Sequence, residues 1–411
     1  MSAPLSIAVT GQSLIRHDLR AISDPRLDEI AQILKASDVA FTNLETTIHG
    51  RHGGWPLKGS YFGAAAPEVL PALKELGFNS LALANNHAFD LGPSGILSTL
   101  EEAAAQNFLH AGIGVDKRNA AKAHKKTFGS RSVALIAMDA GPGPSFMYAD
   151  DASEGRMARP GINRLKVSRV FDLEVETLNV LRSIQKRFQS SALERANYAQ
   201  PENPPDVDGK DEIDFYGTVF RRSDEALRRV VVDRHSARAQ LSAIAEEAGR
   251  DAFVIVYLHH HHWEPNWQQV PSWLREFAHD CVNAGAGLFV SHGAPVLQAI
   301  EIYQNTPIFY GLGNFLFHTE KVEKEWSPPE VWKSVIATCN FGSGGRLEDI
   351  SLRPIVIGGT EALSDPERDR LAFPVLAGGR MAADILDDLA ERSAGFDTVL
   401  SRESGIGRIA L

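Results

Sequence analysis

The 411-residue sequence predicts a layered α/β fold with at least partly parallel strands. Three observations carry this expectation. Short apolar runs alternate with amphipathic stretches through residues 5–138, the same alternation resumes beyond residue 222, and a chain that is 44% hydrophobic and 23% charged has enough apolar material for a large core.

Residues 5–10 (LSIAVT) read as a buried strand running into Gly11. Residues 27–36 have helical spacing, and residues 39–43 (VAFTN) are a second short strand. Residues 67–76 read as a helix, with Pro67 in its first turn and Gly77 as its stop. A strand over 80–84, a helix over 92–106 and a strand over 131–138 come next. From residue 140 to about 222 the chain is polar, with one helical stretch expected over 168–200 and a Pro-rich acidic loop over 201–212. So long an irregular segment reads either as a functional lid or as a disordered insert, and residues 141–222 are expected to be a lid inserted into a single domain of residues 1–411. Beyond it lie a helix over 223–248, a strand over 252–258 (AFVIVYL), a helix over 272–284, and strands over 287–290 and 307–310. A hairpin over 335–357, turning at Gly342–Gly345, and a helix over 380–394 close the chain.

The formal charge of −10 and pI near 5.8 come without a basic stripe, which argues against a nucleic-acid partner. A phosphate-bearing small molecule stays compatible, because a metal ion supplies local positive charge that the net charge hides. Cys281 and Cys339 form no disulfide framework and fit a reducing compartment. The first ten residues lack the basic region and the apolar run of about seven residues of a signal peptide, and no apolar run approaches the ~18 residues of a membrane span. The expectation is a cytoplasmic protein with a small-molecule substrate and no membrane partner, with homo-oligomerisation left open.

The strand ends are more informative. Strand 39–43 leads into Glu45, and strand 80–84 into Asn85, Asn86, His87 and Asp90. Strand 252–258 leads into His259, His260, His261, His262, Trp263 and Glu264. Strand 287–290 leads into Ser291, His292 and Gly293, and strand 307–310 into Gly311, Leu312, Gly313, Asn314 and Phe315. Ligands of α/β sheets bind beyond the carboxyl ends of strands, where loops converge on a rigid base. Taken singly, the histidine run reads as a solvated loop, the asparagine pair as turn chemistry and His292 as a hydrogen-bonded structural residue. Taken together, the histidine sites follow three apolar strands in the same relative place. Imidazoles with one carboxylate and one amide oxygen form a mixed N/O donor set suited to Zn, Mn or Fe rather than Ca or Mg. The cysteines belong to no short-spaced motif, against a structural zinc site.

These residues, in this order, resemble the CapA family, named for capsule and poly-γ-glutamate synthesis and placed in the calcineurin-like metallophosphoesterase superfamily. The resemblance rests on Gly11-Gln12, Asn43-Leu44-Glu45, Asn85-Asn86-His87 with Asp90, Ser291-His292-Gly293 and Gly311-Leu312-Gly313-Asn314-Phe315, and it spans roughly residues 5–400. It implies a four-layer α/β/β/α sandwich of metallophosphatase type with a metal site at one edge of the two sheets. It also implies roles: Glu45, Asn86, His259 and His292 as metal ligands, and His87 as general acid oriented by Asp90. Which of His259, His260, His261 and His262 takes the ligand position stays open at this point.

Two positions depart from the family pattern. Gln12 stands where the family has Asp, and Pro295 where the Gly-His-x-His motif has its second His. Both losses fall on one metal of the superfamily's pair, which implies one divalent cation per chain, Zn or Mn. The alternative is that His17, His49, His260, His261 or His262 rebuild a second position, with Gln12, Glu264 and Asn314 as further metal or substrate contacts. Clamping both oxygens of a phosphoester uses two metals, so a single cation shifts the expected reaction toward hydrolysis of an amide or ester, or toward elimination. Trp263 and Trp267 are expected to line the substrate pocket, whereas Trp273, on its helix, reads equally well as core. The competing readings are a two-metal phosphoesterase, a capsule-synthesis protein and a non-catalytic binding relative.

Overall fold

The computed structural model describes residues 3–188, 208–209, 211–215, 218–319, 328–362 and 373–411. The chain forms two compact units, one of Met1–Leu165 with Arg238–Leu411, the other of Lys166–Ala237.

The larger unit is built on two mixed sheets. In the nine-stranded sheet, Leu5–Val9, Val39–Asn43, Ser80–Ala82 and Leu109–Ala111 run parallel in that order. On the other side of Leu5–Val9, the long hairpin of Lys333–Phe341 and Leu347–Ile357 continues the sheet antiparallel, with Ile406–Ile409 and Leu400–Glu403 beyond it. The parallel order follows from helical connections. Pro25–Lys35 starts at a cap where Asp24 accepts from the Arg26 amide with Pro25 in the first turn, and Val69–Leu76 stops at Gly77, whose φ is +121°. Every residue of Val39–Asn43 is buried, as expected of a parallel strand covered on both faces.

The six-stranded sheet runs Ile300–Tyr303, Thr306–Phe309, Leu288–His292, Phe253–His259, Arg131–Asp139 and His124–Phe128, parallel at its centre. The two sheets pack face to face: the rings of Phe41 and Tyr257 lie 5.8 Å apart, and those of Phe253 and Phe341 4.6 Å apart. Helices cover the sheets, burying Leu27, Ile30 and Leu34 of Pro25–Lys35 and Trp273, Leu274 and Phe277 of Ser272–Asn283. The chain thus builds the α/β/β/α sandwich that its motifs imply. No described helix is long and apolar enough to cross a membrane.

The insert departs from its sequence reading. Where one helix is expected over 168–200, the chain forms a strand, Val167–Leu173, and then a helix, Val175–Arg187, while residues 189–200 lie outside the described residues. The helix expected over 223–248 begins only at Arg234, because Leu227–Val232 (LRRVVV) is a β-branched run that pairs antiparallel with Val167–Leu173. These strands belong to a five-stranded sheet with Asp208–Gly209, Glu212–Phe215 and Thr218–Arg222, so the end of the expected acidic loop is a hairpin. Arginines at 221, 222, 228 and 229 mask its period-2 pattern; Arg229, for instance, pairs with the buried Asp172. Residues 141–165 fall in the larger unit, where Gly161–Ile162 pairs with Ile113–Gly114, so the compact insert starts later and ends later than residues 141–222.

Candidate metal centre

The carboxyl ends of the parallel strands of both sheets carry the polar residues. Glu45 follows Val39–Asn43, and Asn85–Asp90 follows Ser80–Ala82. In the other sheet Asp139, His259 and His292 are the last residues of three neighbouring strands and stand in one register, so they project from the same face.

Glu45, His259 and His261 each bring a donor atom within 4.8 Å of the other two, and His259 Nε2 lies 3.7 Å from Glu45 Oε1. Tyr257 Oη lies 3.2 Å from His259 Nδ1, which fixes the ring with Nε2 turned to the carboxylate. Burial pushes the Glu45 carboxyl up to about 8, with the Lys58 charge opposing and the Asp90 charge adding. Burial likewise holds His261 and His292 at about 3 and His259 well below its ordinary value. All three imidazoles are therefore neutral, the state in which a ring nitrogen donates to a metal.

A divalent cation fits this donor set. His259 Nε2, His261 Nε2, Asn86 Oδ1 and both ring nitrogens of His292 are buried without a hydrogen-bond partner. Leaving such groups unpaired costs about 1–3 kcal/mol each, a cost that coordination removes. The mixed imidazole, carboxylate and amide set suits Zn or Mn.

The four consecutive histidines alternate. In extended backbone successive side chains point to opposite sides. His259 and His261 face the centre with rings 5.2 Å apart, while His260 and His262 turn to Trp273 at 5.0 and 6.2 Å. His260 donates its backbone N–H to the His292 carbonyl at 3.0 Å, and His262 Nε2 lies 3.2 Å from the Ala140 carbonyl. The close approach of His260 to the next strand requires Gly293: its φ is +131°, and a Cβ there would sit 1.8 Å from the His260 carbonyl oxygen. Trp273 is core, buried on its helix.

Beside the centre stands a second constellation. His87 Nδ1 lies 2.7 Å from Asp90 Oδ2, and Lys58 Nζ lies 2.8 Å from Asp90 Oδ1 while donating to the Asn86 carbonyl at 2.7 Å. Asn85 ties this loop to the neighbouring strand end, donating to Asn43 Oδ1 at 3.0 Å and to the Leu44 carbonyl at 2.7 Å. Gly63 presses on the pair so closely that a Cβ would lie 2.1 Å from Asp90 Oδ2 and 2.3 Å from His87 Nδ1.

The remaining sequence candidates fall elsewhere. Gln12 and Asn314 pair with each other, Gln12 Nε2 donating to Asn314 Oδ1 at 3.0 Å, and Asn314 also donates to the Val331 carbonyl. His17 stacks on His318 at 5.3 Å. The Trp263 ring lies 4.8 Å from that of His261 and the Trp267 ring 5.2 Å from that of Trp263, both pairs tilted, an aromatic wall beside the centre. Glu264 is half-buried and is not one of the three grouped donors. Two residues that sequence reading missed belong to the site. Lys58 sits in a loop with no periodicity to mark it, and Asp139 ends a strand whose last polar residue resembles a simple stop. Tyr148 donates to Asp139 Oδ2 at 3.0 Å, the other carboxylate oxygen is buried without a partner, and burial raises this group to about 6.

The sequence model of the family described as bacterial capsule synthesis protein PGA_cap matches residues 6–319. The chain belongs to this family. PGA_cap relatives align over much of its length. The uncharacterized protein y4sH of Sinorhizobium fredii is 27% identical over 449 residues, covering 99% of this chain and 93% of that protein. The PGA biosynthesis protein CapA of Bacillus subtilis is 23% identical over 72% of this chain, which spans 57% of the Bacillus protein. Among solved structures, the NAD nucleotidase NadN of Haemophilus influenzae superposes with a TM-score of 0.34 at 12% identity, over 94% of this chain and 63% of the nucleotidase.

Proposed function

We propose that this PGA_cap member is a metal-dependent hydrolase of a small organic substrate, working with one divalent cation on an amide or ester bond. The observation that carries the proposal is the group of buried Glu45 and His259 with half-buried His261, partnerless at both imidazole Nε2 atoms, beside the His87–Asp90 pair. Glu45, His259 and His261 would hold the cation, with Asn86 and His292 as the further buried donors. When bound, it supplies Lewis-acid polarisation of the scissile oxygen and acidifies water.

The chain's own groups supply the proton chemistry. With Asp90 accepting from His87 Nδ1, Nε2 is the atom that takes the proton lost by the attacking water and passes it to the leaving amine or alkoxide. Lys58 holds the second Asp90 oxygen, so the carboxylate cannot turn away from the imidazole. The tilted Trp263–Trp267 pair offers apolar aromatic surface to the substrate beside His261.

One cation is supported over two by Gln12 and by the residues that follow Gly293. Gln12 Nε2 is bonded to Asn314 and its buried Oε1 is a neutral amide oxygen in place of a carboxylate, and neither Ala294 nor Pro295 offers a side-chain donor. The names of the relatives favour a second reading, a part in poly-γ-glutamate or capsule synthesis; cleavage of an amide bond would serve both. A cytoplasmic setting is supported by two buried cysteines, Cys281 and Cys339, that are both free thiols.

Elemental analysis of the purified chain, combined with turnover of ester, amide and phosphoester panels under added Zn or Mn, tests the proposal. About one cation per chain and metal-dependent turnover of esters or amides is the expected result. Two cations with turnover of aryl phosphate would select the two-metal phosphoesterase; metal content below roughly half an equivalent would overturn the proposal.

A further inference from the structure

Three buried carboxylate oxygens among the described residues accept no hydrogen bond: Asp90 Oδ1, Asp139 Oδ1 and Glu247 Oε2. Two of them face an ammonium instead, Asp90 Oδ1 that of Lys58 at 2.8 Å and Glu247 Oε2 that of Lys125 at 2.9 Å. Asp139 Oδ1 has neither kind of partner among the described residues. The residue is 1% exposed, so bulk water does not serve it either. A buried polar atom is costly to leave unmet, and more so when it is charged.

The other oxygen is held in place. Tyr148 Oη donates to Asp139 Oδ2 at 3.0 Å, and the Arg164 guanidinium lies 4.3 Å over the Tyr148 ring. Burial opposes the carboxylate's charge, whereas the Gly141 N–H, Tyr148, Arg164 and Lys58 favour it, none of them by a hydrogen bond to Oδ1. Asp139 ends its strand in register with His259, and so projects from the same face as His259 and His292. Its backbone is tied to the ligand segment: Ala140 donates its N–H to the His259 carbonyl at 2.8 Å, and His261 to the Gly141 carbonyl at 2.7 Å. Asp139 is not one of the three grouped donors, Glu45, His259 and His261, and acts on the centre at one remove.

We propose that Asp139 is a positioning residue of the centre: its Oδ1 accepts one hydrogen of the attacking water, and its charge tightens the hold of Glu45, His259 and His261 on their cation. The inference rests on the metal-dependent hydrolase reading. An attacking water brings two hydrogens. His87 Nε2 takes one as a proton, and an acceptor that holds the other fixes which way the oxygen lone pair points. Asp139 Oδ1 is a buried acceptor on the right face with nothing yet to accept, and it moves no proton itself. The charge counts separately. Asp90 and Lys58 cancel each other, so a divalent cation facing Glu45 alone keeps one surplus positive charge in a buried site. The Asp139 carboxylate brings that sum to zero.

The test measures Zn affinity of the full chain by competition with a chelator, for the wild type, Asp139→Asn and Tyr148→Phe. Asp139→Asn keeps an oxygen for the Tyr148 hydroxyl but removes the charge and the open acceptor. Tyr148→Phe keeps both and removes only the bond to Oδ2. The Asn variant is expected to bind Zn about ten- to a hundred-fold more weakly, the usual effect of an outer partner of a metal site, and the Phe variant close to wild type. The Co-loaded chain gives a second readout, since its visible absorption bands report the cation's surroundings; they are expected to shift in Asp139→Asn and to stay in Tyr148→Phe. Urea unfolding of the metal-free Asn variant is expected at or above the wild-type midpoint, because an unmet buried charge has gone. Asp139→Ser, which also removes the charge, is expected to show the same loss of Zn and takes the place of the Asn variant should that one not fold. Wild-type affinity and bands in the Asp139 variants, or an equal loss in Tyr148→Phe, would overturn the proposal. A chain that binds Zn, loses it in Asp139→Asn and cleaves no ester or amide refutes only the hydrolase reading, and a wild-type chain that takes up no Zn refutes both.

Discussion

His259 Nε2 lies 3.7 Å from Glu45 Oε1, joining the last residue of a strand in one sheet to the loop that leaves a strand of the other. The centre therefore exists only when the two sheets are packed together, and the same packing buries the carboxyl.

Glu45 gives the first prediction. Its group is raised from the ordinary 4.5 to about 8 by burial, so the metal-free folded chain holds a proton that the unfolded chain releases. Stability of the metal-free chain is thus highest below pH 4.5 for this group and declines as pH rises through about 8. Glu45→Gln, which cannot ionise, is expected to flatten that decline in chelator-treated thermal melts across pH 5–9. Metal affinity is expected to rise over the same window, since the cation displaces the proton. A metal-free chain that gains stability between pH 5 and 8 in step with Glu45, or a Gln variant with an unchanged profile, would contradict the assignment.

The alternation of the histidine run gives the second. His261→Ala is expected to lower bound metal at least ten-fold, by loss of one ligand. His260→Ala is expected to cost roughly 2 kcal/mol by cavity formation against Trp273 and to keep its metal. Elemental analysis and urea unfolding of the two variants give the answer, and a reversed pattern would mean that the other face of the run is the metal face.

Gly63→Ala is a third probe. A Cβ there would lie 2.1 Å from Asp90 Oδ2, so the loop must retreat or the carboxylate must turn. Turnover on whichever ester or amide the chain cleaves is expected to fall about 10²-fold, the usual worth of a positioned acid, with metal content unchanged. Equal turnover in the variant would remove the pair from the mechanism.

Away from the centre, His110 and His124 bring edge strands of the two sheets together with rings 5.4 Å apart. Burial, then the His110 and Lys122 charges, lowers His124 from 6.5 to about 4. The unfolded chain therefore binds the extra proton between those values. Stability present above pH 6.5 is lost as pH falls toward 4. His124→Gln is expected to reduce the drop in urea midpoint between pH 7 and pH 5; an undiminished drop would show that other groups control acid unfolding.

Much of the fold is legible in the apolar runs. Strand Val39–Asn43 has the bounds its sequence predicts, and the hairpin of Lys333–Phe341 and Leu347–Ile357 turns where the glycines lie. The insert is not legible in the same way. Val167–Leu173 and Leu227–Val232 carry charged residues on half-exposed faces, which erases the alternation that marks a strand.

The sequence alone determined the alternation of strands and helices and the strand-end positions of Glu45, Asn86, His87 and His292, through patterns local to the chain: apolar period and turn residues. The sandwich and the pairing of His87 with Asp90 were implied by the resemblance of its motifs to a family. Only the tertiary structure decided which of four adjacent histidines face the centre, and that Lys58 and Asp139 join it. It also set Arg16, His17, His49 and Tyr61 around one hollow. The reason is physical. Contacts between loops far apart in sequence depend on how two sheets pack, and burial, which makes the carboxyl at 45 hold its proton and the imidazoles lose theirs, is a property of that packing.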